Sequence, residues 1–309
     1  MQLSIFLFHR VSPTRDPLWD PIDPKRFEEQ LRMLKRRFHL VSLETYLSQG
    51  EPVKSSKPLA SVVFDDGYRD FAEYALPILR KHQVPSSLYV VTDCVDQQQI
   101  IWTYQLDYLF AHTQKMKLEL RNQALGWKTI RFKNQGERLA FAKSLKPVLK
   151  KVHNGAREDI CQQVAGQFND VQLPERLYLN WEELRSLQKE QVTIGSHTRT
   201  HAMLGNIREE ERIVDELLHS ARRIETELGD FPATISYPIG SYSSKVKTLS
   251  QKLGYQFGLA VDQKKYKTKL HDTFAIPRIE LYHEGMLKSW MRATGMWEAL
   301  RAYSNIVSK

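Results

Sequence analysis

LASVVFDDG (59–67) is the stretch on which the fold turns. Leu59 to Phe64 is an almost unbroken apolar run, the pattern of a strand buried on both faces in a parallel sheet covered by helices. Asp65 and Asp66 follow at once, and Gly67 lets the chain turn sharply. Side chains alternate along a regular strand, so adjacent carboxylates share one site only where the strand ends. In α/β sheets and barrels that C-terminal edge is where active sites are built. Asp-Asp-Gly is also ordinary turn chemistry, so the motif alone leaves both readings open.

Outward from this stretch, strands and helices alternate. Leu3–Phe8 reads as a first strand, and Phe27, Leu31, Leu34 and Phe38 recur at helical spacing across 25–38. Beyond Gly67, Phe71, Ala75, Leu76 and Leu79 mark another helix, and SSLYVVT (86–92) another strand. The alternation breaks between about 100 and 178. There a helical WTYQLDYLF, a hairpin-like pair KLEL and KTIRF around Gly126, and two Lys-rich helical stretches read as a mostly helical insertion. It resumes with helix 181–188, strand VTIGS (192–196), helix 207–228, strand ATISYP (233–238), helix 244–253 and strand FGLAV (257–261). Such alternation implies parallel pairing through crossovers. The expectation is one α/β catalytic domain over 1–309, with the insertion and a C-terminal amphipathic helix at about 285–305. Met286, Trp290, Trp297, Leu300 and Tyr303 along that helix fit either packing on the barrel or attachment to a membrane surface.

Composition is that of a soluble globular protein, with 41% hydrophobic and 26% charged residues. The 45 Lys+Arg against 36 Asp+Glu give +9, concentrated in part in KSLKPVLKK (143–151) and KKYKTK (264–269). These runs read as a solvated basic face or an anion-binding patch. Zinc-finger spacing, an aromatic RNA-binding signature and a recognition helix are all missing from the sequence, which discounts nucleic acid as a partner. Cys94 and Cys161 lie far apart, outside CxxC spacing, so neither a disulfide framework nor a thiolate zinc site is implied. MQLSIFLFHRV is too short an apolar run for a signal segment or a membrane span. The expected location is the cytoplasm, with peripheral attachment at the inner membrane face left open.

A second polar cluster, His197-Thr198-Arg199-Thr200-His201, follows strand 192–196 directly. Histidines four apart share a face if the turn is helical, and two His with one carboxylate leave open positions on a divalent ion, as a catalytic site requires.

With FDDG (64–67), SHTRTH (196–201) and ISYPIGSYS (235–243) in this order, the chain resembles the polysaccharide deacetylases that share the homology domain of the nodulation chitooligosaccharide deacetylase. FHRV (8–11) and the helix after it resemble the exopolysaccharide and poly-N-acetylglucosamine branch. The likeness spans about 3–100 and 178–282. It implies a deformed (β/α)7 barrel, with Asp66, His197 and His201 holding one divalent ion and Asp65 as general base. Zinc is the usual ion, and nickel or cobalt is tolerated in relatives. A backbone N–H in the Tyr237-Pro238 turn is the implied oxyanion donor.

The third motif often carries an Arg that orients the base, but Ile235 and Ser236 stand there in this chain. Arg278, in AIPRIEL (275–281), is the candidate to supply that guanidinium from elsewhere, and a structural ion pair is the alternative. His9 ends the first strand, at the same rim as Asp65 and His197, and corresponds to the N-terminal acid histidine of that branch, with Phe8 replacing a tyrosine. His271 and His283 are the other candidates for the acid. Trp19, Trp102 and Tyr242 are candidates to stack on sugar rings. The expected activity is metal-dependent removal of N-acetyl groups from N-acetylhexosamine units of an oligo- or polysaccharide. The alternatives are an amidase acting on a small molecule or sugar lipid, and a catalytically silent glycan-binding relative.

Overall fold

The computed structural model describes residues 2–49, 54–97, 99–122, 126–268 and 270–307. The chain forms β1 (Gln2–Phe8), β2 (His39–Leu40), β3 (Leu59–Phe64), β4 (Ser86–Val90), a hairpin of β5 (Lys117–Asn122) and β6 (Gly126–Arg131), then β7 (Val192–Ser196), β8 (Thr234–Ser236), β9 (Phe257–Leu259), β10 (Tyr266–Lys267) and β11 (Ile279–Glu280). β1, β3, β4, β7, β8 and β9 are parallel neighbours in that order. The last strand returns to the first: Ile276 bridges Leu259, and β11 pairs in parallel with the free edge of β1. Two backbone bonds of 2.8 Å, Ala260 N–H to Ile276 O and Ile276 N–H to Gly258 O, make the join. The sheet thus curls into the deformed (β/α)7 barrel. β2 on β3, and β10 antiparallel on β1, extend it at the N-terminal ends of those strands.

Strand alternation divides the core in two. Phe6, Phe8, Val62, Phe64, Leu88 and Val90 face outward and pack with Phe27, Leu31 and Leu34 of helix Pro24–Arg37 and with Leu184 and Leu187 of helix Trp181–Gln188. Leu3, Ile5, Leu7, Val63, Tyr89, Leu259 and Ile276 form a second cluster from the opposite side chains of the same strands. Each such side chain contributes about 1.5–3 kcal/mol when fully buried, which is why these strands read as continuous apolar runs. Helix Pro24–Arg37 starts where Asp23 Oδ1 accepts the Lys25 N–H (2.9 Å) with Pro24 in the first turn. It carries Lys35, Arg36 and Arg37 in its last turn, where the helix dipole favours cations, and Phe38 ends it in extended backbone.

The insertion lies between β4 and helix Trp181–Gln188. Helices Trp102–His112, Gln135–Leu149 and Asn154–Gln167 and the hairpin share a cluster of their own around Leu106, Phe110, Leu118, Leu145, Ile160 and Phe168. At the C-terminus the single amphipathic helix expected at 285–305 is two helices, Met286–Thr294 and Met296–Val307. Gly295, at φ 85°, breaks them because only the left-handed conformation caps the first. The first packs on helix Pro24–Arg37, where Gln30 Nε2 donates to Ser289 Oγ at 2.9 Å. Leu287, Met296 and Leu300 stay exposed. Lys269, from the second basic run, lies outside the described residues. Among the described residues no helix is long and apolar enough to cross a membrane.

The parallel register aligns Phe8 with Phe64, and Val90 with Ser196. Residues just beyond these positions therefore emerge at one rim. β7 approaches β4 closely: a Cβ on Gly195 would fall 2.4 Å from the ring of Tyr89, whose hydroxyl donates to Glu44 at 2.7 Å and so cannot swing away freely. Gly195→Ala should overpack this contact and lose about 1–3 kcal/mol. Thermal unfolding checks it, and an unchanged melting temperature would show that the β4–β7 contact yields without strain.

Candidate active site

The rim is built on backbone that ordinary residues avoid. Asp66 (φ 78°), Thr198 (φ 68°), His201 (φ 61°) and Ile239 (φ 58°) all adopt positive φ without being glycine. Such residues cost of order 1–3 kcal/mol each and persist where the surroundings over-determine them. Gly67 (φ 74°) completes the first turn, and a Cβ there would meet Val90 Cγ1 at 3.1 Å. The reversal after β3 is what brings both Asp65 and Asp66 to one site. The His197–His201 segment is not the helical turn that the four-residue spacing suggests. It is a bend closed by the His201 N–H on Thr198 Oγ1 (3.0 Å) and anchored by Thr200 N–H on Glu216 Oε2 (2.9 Å).

Within this frame the ligand atoms of Asp66, His197 and His201 lie within 4.8 Å of one another, all three residues buried. Asp66 Oδ1 stands 3.3 Å from His197 Nε2 and 3.4 Å from His201 Nε2, yet has no hydrogen-bond partner. A buried carboxylate oxygen left unbonded between two imidazole nitrogens is costly unless a cation sits among them. His197 Nδ1–H donates to Ser236 O at 2.8 Å, which directs the Nε2 lone pair toward that point. Burial alone would make His197 harder to protonate, but Asp65 and Asp66 outweigh it and hold its pKa above the usual value. At His201 the balance is opposite, burial outweighing Asp66 and lowering its pKa, so that ring stays a neutral donor more readily. Carboxylate and imidazole donors in this number suit a catalytic divalent ion with open positions.

Asp65 is set apart by its partner. Arg278 Nη1 and Nη2 donate to Asp65 Oδ1 and Oδ2 at 2.8 and 2.9 Å, and neither side chain is more than 2% exposed. Arg278 Nη2 also donates to Ser236 Oγ (2.9 Å), which in turn donates to Asp65 Oδ2 (3.1 Å). Arg278 Nε donates to Ala260 O at 3.0 Å. Burial would push the Asp65 carboxyl up, but the charges of Arg278 and His197 outweigh it, so it is held below the usual carboxylate range. The guanidinium missing from the 235–238 segment thus arrives from a different strand, with Ser236 as the hinge between the two.

A cavity of about 240 Å³ opens over these groups, lined by His9, Trp19, Asp65, Asp66, His197 and His201, with Ile239, Val261 and Glu280 beside them. His9 Nδ1 lies 3.4 Å from Glu280 Oε1, and its ring meets Trp19 edge-on at 5.4 Å. Glu280 also accepts from the Tyr282 hydroxyl. Sequence reading missed Glu280, although it stands two residues after Arg278 and so on the same strand face. His271 and His283 sit elsewhere, accepting the backbone N–H of Lys267 and of Asp23.

Other residues proposed from sequence fall outside the cavity lining. Trp102 is buried in the insertion core with the Arg157 guanidinium 5.2 Å over its ring. Tyr242 stacks on buried Tyr237 at 5.1 Å. In the Tyr237-Pro238 turn, the Tyr237 N–H is already bonded to Leu259 O (3.1 Å) and proline has none to give, so neither can supply the oxyanion donor. The next amide belongs to Ile239, which does line the cavity.

A family model described as polysaccharide deacetylase matches residues 53–258. The fold is shared with the Streptococcus pyogenes deacetylase PplD solved in complex with acetate (TM-score 0.63, 14% identity, covering 95% of this chain and 98% of that one). It is shared also with IcaB from Ammonifex degensii (0.59, 14%, 95% and 96%) and the BpsB deacetylase domain from Bordetella bronchiseptica (0.55, 15%, 91% and 96%). No curated protein sequence matches the chain. The Asp-His-His group and the arginine-held carboxylate stand at the rim of a curled α/β barrel, and proteins of the matched family are hydrolases of carbon–nitrogen bonds in N-acetyl groups. This chain belongs to the polysaccharide deacetylase family.

Arg278→Met should leave Asp65 buried and unpaired and destabilise the fold by about 3–5 kcal/mol. Adding Asp65→Leu should recover much of that loss, a coupling that denaturant unfolding of the four members of the cycle measures. Additive effects would mean that the pair does not act as a unit.

Proposed function

We propose that the chain is a metal-dependent deacetylase that removes N-acetyl groups from N-acetylhexosamine units of an oligo- or polysaccharide. The observation that carries the reading is the unpartnered Asp66 Oδ1 between two imidazole nitrogens, next to a carboxylate kept ionised by Arg278. Asp66, His197 and His201 would hold a divalent ion, zinc being the usual choice and nickel or cobalt the alternatives, which would supply Lewis-acid polarisation of the acetamide carbonyl and make water at the site more acidic. Asp65 accepts the proton that the attacking water gives up, since Arg278 and Ser236 hold its carboxylate charged and in one orientation. The Ile239 N–H, on strained backbone at the cavity wall, takes the role of donor to the oxygen on which negative charge develops. His9 protonates the departing amine, which leaves poorly as an anion, and Glu280 on Nδ1 orients the ring. Trp19 is the aromatic wall against which a sugar face can lie.

The direct test is acetate release from N-acetylated chitooligosaccharides after chelator treatment and after reloading with zinc, nickel or cobalt. Release that returns only with metal supports the reading. Glycan binding without release from any acetylated amino sugar or related amide would replace it with a silent binding protein, and release from small amides alone would make the chain an amidase.

Two substitutions separate the carboxylates and histidines by role. Asp65→Asn should keep metal and lose about 10²–10⁴-fold in turnover, the range for a positioned general base. His197→Ala should instead lose metal, read by metal analysis after dialysis. Metal retained at full occupancy in His197→Ala, or lost in Asp65→Asn, would reverse the assignment. His9→Ala should keep fold and metal while turnover falls by about 10²-fold or more, and steady-state kinetics at near-wild-type rates would remove His9 as the acid.

A further inference from the structure

The KSLKPVLKK stretch (143–151) does not wholly face solvent: Lys146 and Lys150 line the same cavity as Asp66, His197 and His201. They lie four residues apart at the end of helix Gln135–Leu149, which places them on one side of the chain. That end is tied to the barrel, because Asn206 Nδ2 donates to Lys150 O (3.1 Å) and Val152 O (3.0 Å). Asn206 follows the His197–His201 bend in the chain, so one connected segment carries the histidines and ties down the lysine-bearing helix end.

Lys146 Nζ donates to Asp107 Oδ2 at 2.6 Å, leaving its ammonium two further donors. Asp107 lines the cavity and is only 2% exposed, and its Oδ1 has no partner. Lys150 makes neither ion pair nor hydrogen bond through its ammonium among the described residues. Burial and then repulsion from Lys146 lower its pKa, ahead of the opposing pull of Glu280 and Asp107. With Asp107 ionised, Lys146, Lys150 and Asp107 together carry a net charge of +1, and Asp65, Asp66 and Glu280 line the same cavity. An unpartnered ammonium, spare donors on a second one and a buried orphan carboxylate oxygen, all opening on one cavity, describe a polar ligand carrying negative charge.

We propose that Lys146 and Lys150, with Asp107, form a subsite for an anionic substituent, a carboxylate or a phosphate, on the glycan whose acetamide lies against Asp65. Asp107 Oδ1 accepts a hydroxyl of the same sugar, and Lys150 meets the anion. The substrate class is deduced on top of the deacetylase reading, but the anion preference is a binding property and is read separately from turnover.

The test is calorimetric titration of the His9→Ala chain, which keeps the Asp65–Arg278 pair and turns over slowly, with three probes: N,N′-diacetylchitobiose, an N-acetylglucosamine–glucuronic acid disaccharide and N,N′-diacetylchitobiose 1-phosphate. One anionic probe should bind about tenfold more tightly than N,N′-diacetylchitobiose, the scale of a charge-assisted hydrogen bond. Which one does so tells carboxylate from phosphate. The ratio of anionic to neutral affinity should fall toward one in Lys150→Met, and further in Lys146→Met/Lys150→Met. Equal affinities for the three probes in the parent chain, or a ratio that survives the double substitution, would overturn the subsite. Acetate release from N,N′-diacetylchitobiose by the unsubstituted, metal-loaded chain is measured alongside. Its absence counts against the deacetylase reading and leaves the anion ratio to be judged by itself.

Discussion

Arg278 carries a full charge with no exposed surface, and every group that compensates it belongs to a different strand end. Its guanidinium holds Asp65 beyond β3, Ser236 at the end of β8 and Ala260 beyond β9, from a position just before β11. A buried guanidinium is tolerated only when its donors are met, and here meeting them draws four strand ends together across the barrel mouth. The same contacts leave Asp65 charged in a site that burial would otherwise neutralise. Structure and proposed chemistry rest on one ion pair, which closes the rim and prepares the base.

Around that pair the backbone is strained in a consistent way. Asp66, Thr198, His201 and Ile239 hold positive φ at three separate strand ends, and each turn points a ligand, a donor or a wall residue inward. Packing beneath the rim makes this tolerable. Outer-face side chains on β1, β3 and β4 lock the strands against helices, and Glu216, from helix Glu210–Leu228, clamps the histidine bend through Thr200 and Arg199. The rigid layer absorbs the strain of the reactive one.

The insertion changes what such a rim can recognise. Its hydrophobic cluster is largely its own, so it can vary without disturbing the barrel, yet it reaches back to place Asp107, Lys146 and Lys150 over the Asp-His-His group. Chemistry is thereby assigned to strand ends and specificity to an appended layer, a division common where loops decorate a fixed barrel.

By itself the sequence determined the alternation of strands and helices and put Asp65, Asp66, His197 and His201 at strand ends, because continuous apolar runs and the carboxylate and histidine pairs that follow them are local signals. It reached Arg278 through the guanidinium missing from the third motif of the family it resembles, and His9 through its place at the rim, with the alternatives still open. What only the tertiary structure decided were features whose partners lie far away in the chain. The two-pronged bond between Arg278 and Asp65 spans 213 residues, and the Ser236 bond to the same carboxylate spans 171. The His197–His201 bend followed from the distant anchor on Glu216 and not from helical spacing, and Trp102 packs in the insertion core with Arg157 over its ring. Tyr237 had spent its amide on Leu259, a barrel bond that local sequence does not reveal. Periodicity records which face a residue turns to the core, but which charges meet there depends on how the barrel closes.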